Sequence, residues 1–398
     1  MIRGGAFASA LALGLLGCAA QAAEQGQANP AARLLTKRDH FAAEQLDSSH
    51  LPKTGQDAVF SVAWRRQLTE PEFLEWTPRE FMRPGVDDSG RVYVASRDGF
   101  VRALDQDGVL LWEHPLKGPF FGGITVEGDK VLVPTGDGAL VALSTADGSQ
   151  RWIYRANEEL GTKPVVANGI VYVASFSDSI FAVDVETGAW KWQYRRDVGA
   201  EFTIRGAGTP AVDGDRLFLG FSDGAAMCFD AADGSVKWTK QLSTAHQFPD
   251  ANASAQVDDQ GHVYFASYTG GVFQLDEATG NTIWQSNVDG VTTLLLDGDD
   301  LFAGSASAIT KLAAADGVVH WKLPVPEGYA GEPTLLSRYL IVPTTRALAF
   351  IDRESGAPKR VFDPGRGISA APAVNRNALY VLSNFGYLYA LSVARPPG

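Results

Sequence analysis

The chain has 398 residues, 45% of them hydrophobic, enough to build a large core in one repeat array or in two to three ordinary domains. Its formal net charge of −12 argues against a nucleic-acid surface, because phosphate binding needs clustered Lys and Arg. Two cysteines, Cys18 and Cys228, form no CxxC or vicinal pair, and the six histidines are dispersed, so redox chemistry through sulfur and metal binding through histidine are both disfavoured.

Residues 1–22, MIRGGAFASALALGLLGCAAQA, combine Arg3 with a short apolar run from Ala6 to Leu16. That length suits a secretory signal and is too short to span a bilayer. Two processing sites are open. Ala20-Gln21-Ala22 fits a small-x-small cleavage site, whereas Leu15-Leu16-Gly17-Cys18 is similar to a bacterial lipobox, whose cysteine is lipidated and becomes the first residue. Lipidation at Cys18 implies the periplasmic face of the outer membrane. Cleavage after Ala22 implies a soluble periplasmic protein. Residues 23–57, rich in Ala, Gln and charged groups, read as a flexible tether.

The segment AVFSVAWRRQL, carrying Trp64, then reads as an outer strand with no repeat before it. An irregular stretch, TEPEFLEWTPREFMRPGVDD (69–88), follows, and its Phe73, Trp76 and Phe81 are expected to pack over an end of the fold. Beyond it one unit recurs. Trp112, Trp152, Trp192, Trp238, Trp284 and Trp321 each stand four residues after a turn glycine, spaced 40, 40, 46, 46 and 37 residues apart. A period near 40 built from strands and turns indicates a β-propeller blade. In the third copy, GTKPVVANG, IVYVASFSDS, IFAVDVETG and AWKWQYR are four short strands, with Val171, Val173, Phe181 and Val183 as candidate buried positions. Glycine in the last hairpin supplies positive φ, and Trp192 on the outermost strand can cover the gap to a neighbouring blade. Cys228, in MCFD, stands where other copies have Ala103, Ala142 and Ala182, as a small core residue on an inner strand would.

Eight second-strand signals can be counted, from RVYVASRDG to ALYVLSNFG. The seventh unit has Arg360 in the tryptophan position, and the eighth ends after FGYLYALSVA without an outer strand. The Trp64 strand at the other end supplies it. Residues 58–394 are therefore expected to form one all-β domain, an eight-bladed β-propeller of four-stranded antiparallel blades, its ring closed by the N-terminal strand. Closure removes free strand edges.

The two 46-residue intervals hold insertions at the same point of the repeat, between an outer strand and the next inner strand. The first, RRDVGAEFTIRGAG, offers Phe202, Ile204 and Arg205. The second, STAHQFPDANAS, offers Phe248, Asp250 and Asn252. Apolar residues beside a guanidinium are the composition of interface hot spots, but the same apolar residues can also pack beneath the loops, and chemistry alone leaves both readings open.

The pattern AVDVETGAWKW (182–192) is similar to the tryptophan-docking repeat of PQQ-dependent quinoproteins. The quinone enzymes of this class imply an adjacent cysteine pair and a carboxylate set for calcium and base, neither of which is legible here. The chain more closely resembles the BamB family of outer-membrane assembly lipoproteins, in length, lipobox, tether, blade count and closing strand. EFTIRGAGTPAV (201–212) and PDANASAQV (249–257) are similar to that family's two partner-contacting segments. The resemblance implies a non-catalytic scaffold without cofactor or metal. It further implies a monomer within a hetero-complex that contacts the POTRA domains of BamA through Phe202, Ile204, Arg205 and the loop bearing Phe248, Asp250 and Asn252. Asn252 stands where the family carries a second acid, and Phe202 replaces an aliphatic residue. A PQQ-dependent dehydrogenase, or a propeller binding another envelope ligand, are the alternatives.

Overall fold

A computed structural model of the protein describes residues 59–70, 79–197, 206–325 and 330–393. The signal segment with Cys18, the 23–57 tether, Phe73 and Trp76 lie outside the described residues.

The described residues form eight four-stranded antiparallel sheets. We number these blades in chain order from the one that opens at Gly85–Val86. Blades 1–7 are consecutive meanders. Blade 3, for example, runs through Val165–Ala167, Ile170–Ala174, Ser179–Asp184 and Trp190–Arg195, from the inner strand to the outer. Blade 8 takes Ala373–Asn375, Ala378–Leu382 and Tyr387–Val393 from the end of the chain, and its outer strand is Phe60–Gln67 from the beginning. In that closing pair Phe60 stands opposite Val393 and Gln67 opposite Tyr387. The eight-bladed, N-terminally closed propeller expected from the repeats is thus the observed architecture.

The core lies between the blades. Second and third strands such as Ile170–Ala174 and Ser179–Asp184 are buried almost throughout, whereas outer strands bury chiefly the tryptophan. Period-two alternation does not separate inside from outside in the middle strands, because each blade face is covered by a neighbour. It sorts side chains between the two neighbours instead. Val171, Val173, Phe181 and Val183 pack with Trp152 of blade 2, while Tyr172, Ala174, Ile180 and Ala182 pack with Trp192 and with Phe229 of blade 4. Continuous apolar runs are therefore the signature of these strands. Fully burying a side chain of this size stabilises by roughly 1.5–3 kcal/mol, so each seam is a substantial part of the stability.

The tryptophans act across these seams. Trp152 faces the glycine of the following blade's last hairpin, where a Cβ at Gly188 would lie 2.6 Å from its Cε3. Its Nε1–H donates to the Val185 carbonyl of the same hairpin at 3.0 Å. Gly188 has φ of 69°, so the position needs glycine both for the turn and for the ring above it. Among the described residues seven tryptophans repeat the arrangement, from Trp64 over Gly108 to Trp321 over Gly356. Within its own blade each ring stands opposite a third-strand residue: Ala182 faces Trp192 and Cys228 faces Trp238. Cys228 is accordingly buried on the third strand from the axis, with burial pushing its thiol up to about 12.

The seam between blades 7 and 8 departs from this scheme. Blade 8 borrows its outer strand and so has no hairpin glycine to receive a ring, and blade 7 has Arg360 in the tryptophan position. Phe60 of the closing strand fills the gap, stacked on Phe350 at 4.7 Å. Phe362 meets Phe60 edge-on at 5.7 Å and Tyr389 at 5.0 Å. The strand that closes the ring thus also brings the aromatic that seals it.

Candidate partner-binding face

All connections from an outer strand to the next inner strand emerge on one face, because every blade is an antiparallel meander of four strands. Both insertions lie there, between blades 3 and 4 and between blades 4 and 5. Phe202, Ile204 and Arg205 lie outside the described residues, which resume at Gly206. From that point the first insertion runs against the second. A Cβ at Gly206 would lie 3.7 Å from Asn252 Nδ2, and one at Gly208 would lie 2.9 Å from the Ala253 carbonyl oxygen. The Thr209 N–H donates to Ser254 Oγ at 3.1 Å. Two loops separated by more than 40 residues of sequence therefore form one surface.

The second loop divides its residues between exposure and support. Phe248 is 39% exposed and meets the Tyr268 ring edge-on, at 6.1 Å between centroids. It has φ of 53°, unusual for a bulky residue, and the loop is pinned around it. Thr269 Oγ1 donates to the Phe248 carbonyl at 3.1 Å, and Ser267 Oγ to the Pro249 carbonyl at 2.7 Å. Asp250, by contrast, is only 3% exposed. Its carbonyl accepts from the Tyr268 N–H at 2.8 Å, and its Oδ1 accepts from Asn252 Nδ2 at 3.2 Å. Asp250 and Asn252 thus brace the loop from beneath while Phe248 is presented to solvent.

The same face carries aromatics that the sequence reading left without a role. Phe81, 39% exposed, lies 5.7 Å from Phe121, which meets Phe176 edge-on at 5.4 Å. Glycine makes room for this row: a Cβ at Gly136 would lie 2.9 Å from the Phe121 ring, and one at Gly161 would lie 2.6 Å from that of Phe176. Phe121 lies in a connection between blades, and Phe176 in the hairpin between second and third strands. Two phenylalanines at non-repeating positions were the available signal.

Inside this face the ring axis opens into a cavity of about 630 Å³ to which every blade contributes. Residues just before the inner strands line it, among them Arg83, Lys163, Asn252 and Glu332. Arg83 pairs with Glu332 at 3.1 Å. Burial pushes the Lys163 ammonium down to about 8; nearby Arg83 adds to the effect and Glu332 opposes it. Among the described residues no group of three or more His, Cys, Asp and Glu side chains could hold a metal ion.

The sequence model of the family described as "Outer membrane protein assembly factor BamB" matches residues 61–137 and 97–323. A curated member from Shewanella oneidensis is 27% identical over 327 residues, 76% of this chain and 82% of that protein. One from Yersinia pestis is 24% identical over 323 residues, with the same coverage of each chain. Among solved structures, BamB from Moraxella catarrhalis superposes with a TM-score of 0.73 at 21% identity, covering 84% of this chain and all of that one. Quinohemoprotein alcohol dehydrogenase from Comamonas testosteroni shares the fold at 15% identity and a TM-score of 0.69, covering 85% of this chain and 78% of its own. The propeller is therefore common to both classes, but the sequence match runs to the assembly factors, and the chain belongs to the BamB family.

Proposed function

We propose that the protein is a non-catalytic scaffold of the outer-membrane β-barrel assembly machinery, and that the face formed by its two insertions binds the periplasmic POTRA domains of BamA. One observation carries this reading beyond family membership: the two oversized loops, distant in sequence, run together on one face and present Phe248 to solvent. A rigid ring with a presented aromatic suits a docking platform, because little conformational entropy is lost when it binds. Phe202 and Ile204 act as apolar anchors, Arg205 as a hydrogen-bonding or ionic contact, and Asp250 and Asn252 hold the loop in shape. Lipidation at Cys18 would tether the ring to the periplasmic face of the outer membrane.

Arg205→Glu tests the interface. Co-purification with BamA should be lost while the melting temperature stays within about 2 °C of wild type, since surface substitutions usually change stability by less than about 0.5 kcal/mol. Retained binding together with a large loss of stability would reject the interface and make these residues packing. Mass spectrometry of the mature N-terminus separates a lipidated Cys18 from an unmodified Ala23.

A further inference from the structure

The cavity at the mouth of the ring axis has a composition that loop packing does not explain. At about 630 Å³ it falls within the roughly 300–1,000 Å³ typical of small-ligand sites. Most of its lining is small and neutral, with apolar patches at Val165, Val166 and Ala207. Four charged residues reach it. Asp250 is buried and accepts from Asn252, and Glu332 is taken by Arg83 at 3.1 Å. Among the described residues Lys163 makes no ion pair or hydrogen bond.

The local backbone sets this up. Gly122 and Gly123 run past Thr162 and Lys163 so closely that a Cβ at Gly122 would lie 2.4 Å from the Thr162 carbonyl carbon. A Cβ at Gly123 would touch Arg83 Cβ at 3.1 Å and Lys163 Cγ at 3.2 Å. The two cationic side chains therefore flank a residue that has no side chain; Arg83 holds Glu332, whose charge reaches Lys163 without an ion-pair contact. Desolvation of an ammonium without full compensation is what lowers Lys163 to about 8. Near neutral pH Lys163 remains largely protonated, a cation that no carboxylate of the described residues contacts, with Glu332 near enough only to oppose the loss of its charge.

We propose that this cavity is a carboxylate-binding site, with Lys163 as the primary charge partner and Arg83 as the flanking donor. The apolar patches favour a carboxylate carried on a short organic body over a bare inorganic anion. The group can come from a free carboxylic acid or from a Glu or Asp side chain of a polypeptide seated over the same face, and it is bound whether or not BamA is the partner of the outer loops.

The test follows the Lys163 amine by NMR after reductive ¹³C-methylation of the full propeller, at constant ionic strength. One lysine should titrate near pH 8 and be absent from Lys163→Met and Lys163→Arg spectra. Succinate, or an acetylated and amidated Gly-Glu-Gly peptide, should raise that midpoint by about one unit, equivalent to tenfold tighter binding to the protonated form. Direct titration calorimetry should show this binding lost in Lys163→Met and kept in Lys163→Arg. A response to succinate alone assigns a free acid, and a response to the peptide alone assigns a polypeptide side chain. A midpoint in the ordinary lysine range, indifference to both probes, or an equal shift with inorganic phosphate would overturn the proposal. If Lys163→Met fails to fold, the wild-type midpoint and the Lys163→Arg assignment decide.

Discussion

If each tryptophan is positioned by the glycine of the following blade, replacing that glycine should cost more than a positive φ alone can explain. Gly188 and Gly214 allow a controlled comparison. Both have positive φ, at 69° and 56°, but a Cβ at Gly188 would lie 2.6 Å from Trp152 Cε3, whereas nothing lies within 4 Å of one at Gly214. Alanine in the left-handed region costs roughly 1–2 kcal/mol, which is the whole expected loss for Gly214→Ala. At Gly188 the methyl must also displace a buried indole that is held by its bond to Val185. Overpacking of this kind adds about 1–3 kcal/mol, giving a total of about 2–5 kcal/mol. Trp152→Ala by itself should lose about 3–5 kcal/mol. In the double variant the methyl has room, so Gly188→Ala should there cost no more than Gly214→Ala. The two sites would then couple by about 1–3 kcal/mol. Equilibrium unfolding in guanidinium, followed by far-UV circular dichroism, measures the four variants against the wild type. An equal penalty at Gly188 and Gly214, or an unchanged Gly188 penalty without Trp152, would refute the reasoning.

The closing seam gives a second prediction. Phe60→Ala should destabilise by about 2–4 kcal/mol, and deleting residues 59–67 should leave the Tyr387–Val393 edge unpaired and produce oligomers on size-exclusion chromatography. On the candidate face, Phe248→Ala should leave the melting temperature nearly unchanged and weaken partner capture about tenfold or more in a quantitative pull-down, whereas Asp250→Ala should lower thermal stability first. The blade 7 hairpin predicts a pH dependence. Burial opposes ionisation of Asp352, but hydrogen bonds from Arg338 and from the Ser355 N–H and hydroxyl outweigh it and hold the carboxyl well below the usual range. A depressed folded-state value contributes stability above the unfolded value, near pH 4, and loses it as pH falls towards the folded value. Asp352→Asn should therefore destabilise by about 2 kcal/mol at pH 7 and progressively less below about pH 4, as read from unfolding midpoints across pH.

Blade number, strand content and the method of closure were legible in the sequence, because they rest on local chemistry. A hairpin needs glycine at positive φ within a few residues of its strands, so the glycine–tryptophan unit repeats with its register intact. A missing outer strand at one end and a spare one at the other then admit few solutions. The oversized intervals pointed in the same way to the face that bears the insertions. What each residue does there was decided only by the tertiary structure. Trp152 answers to a glycine 36 residues ahead of it, in another blade. Phe248 and Asp250, two positions apart and equally plausible as contacts, differ in exposure because Asn252 and the backbone of Tyr268 hold one of them beneath the loop. Arg83, Lys163 and Glu332 come together from blades 1, 3 and 7, and the Phe81–Phe121–Phe176 row spans three blades. None of these groupings follows a period along the chain. They depend on the ring bringing distant segments to one axis and one face, and sequence spacing alone does not encode that geometry.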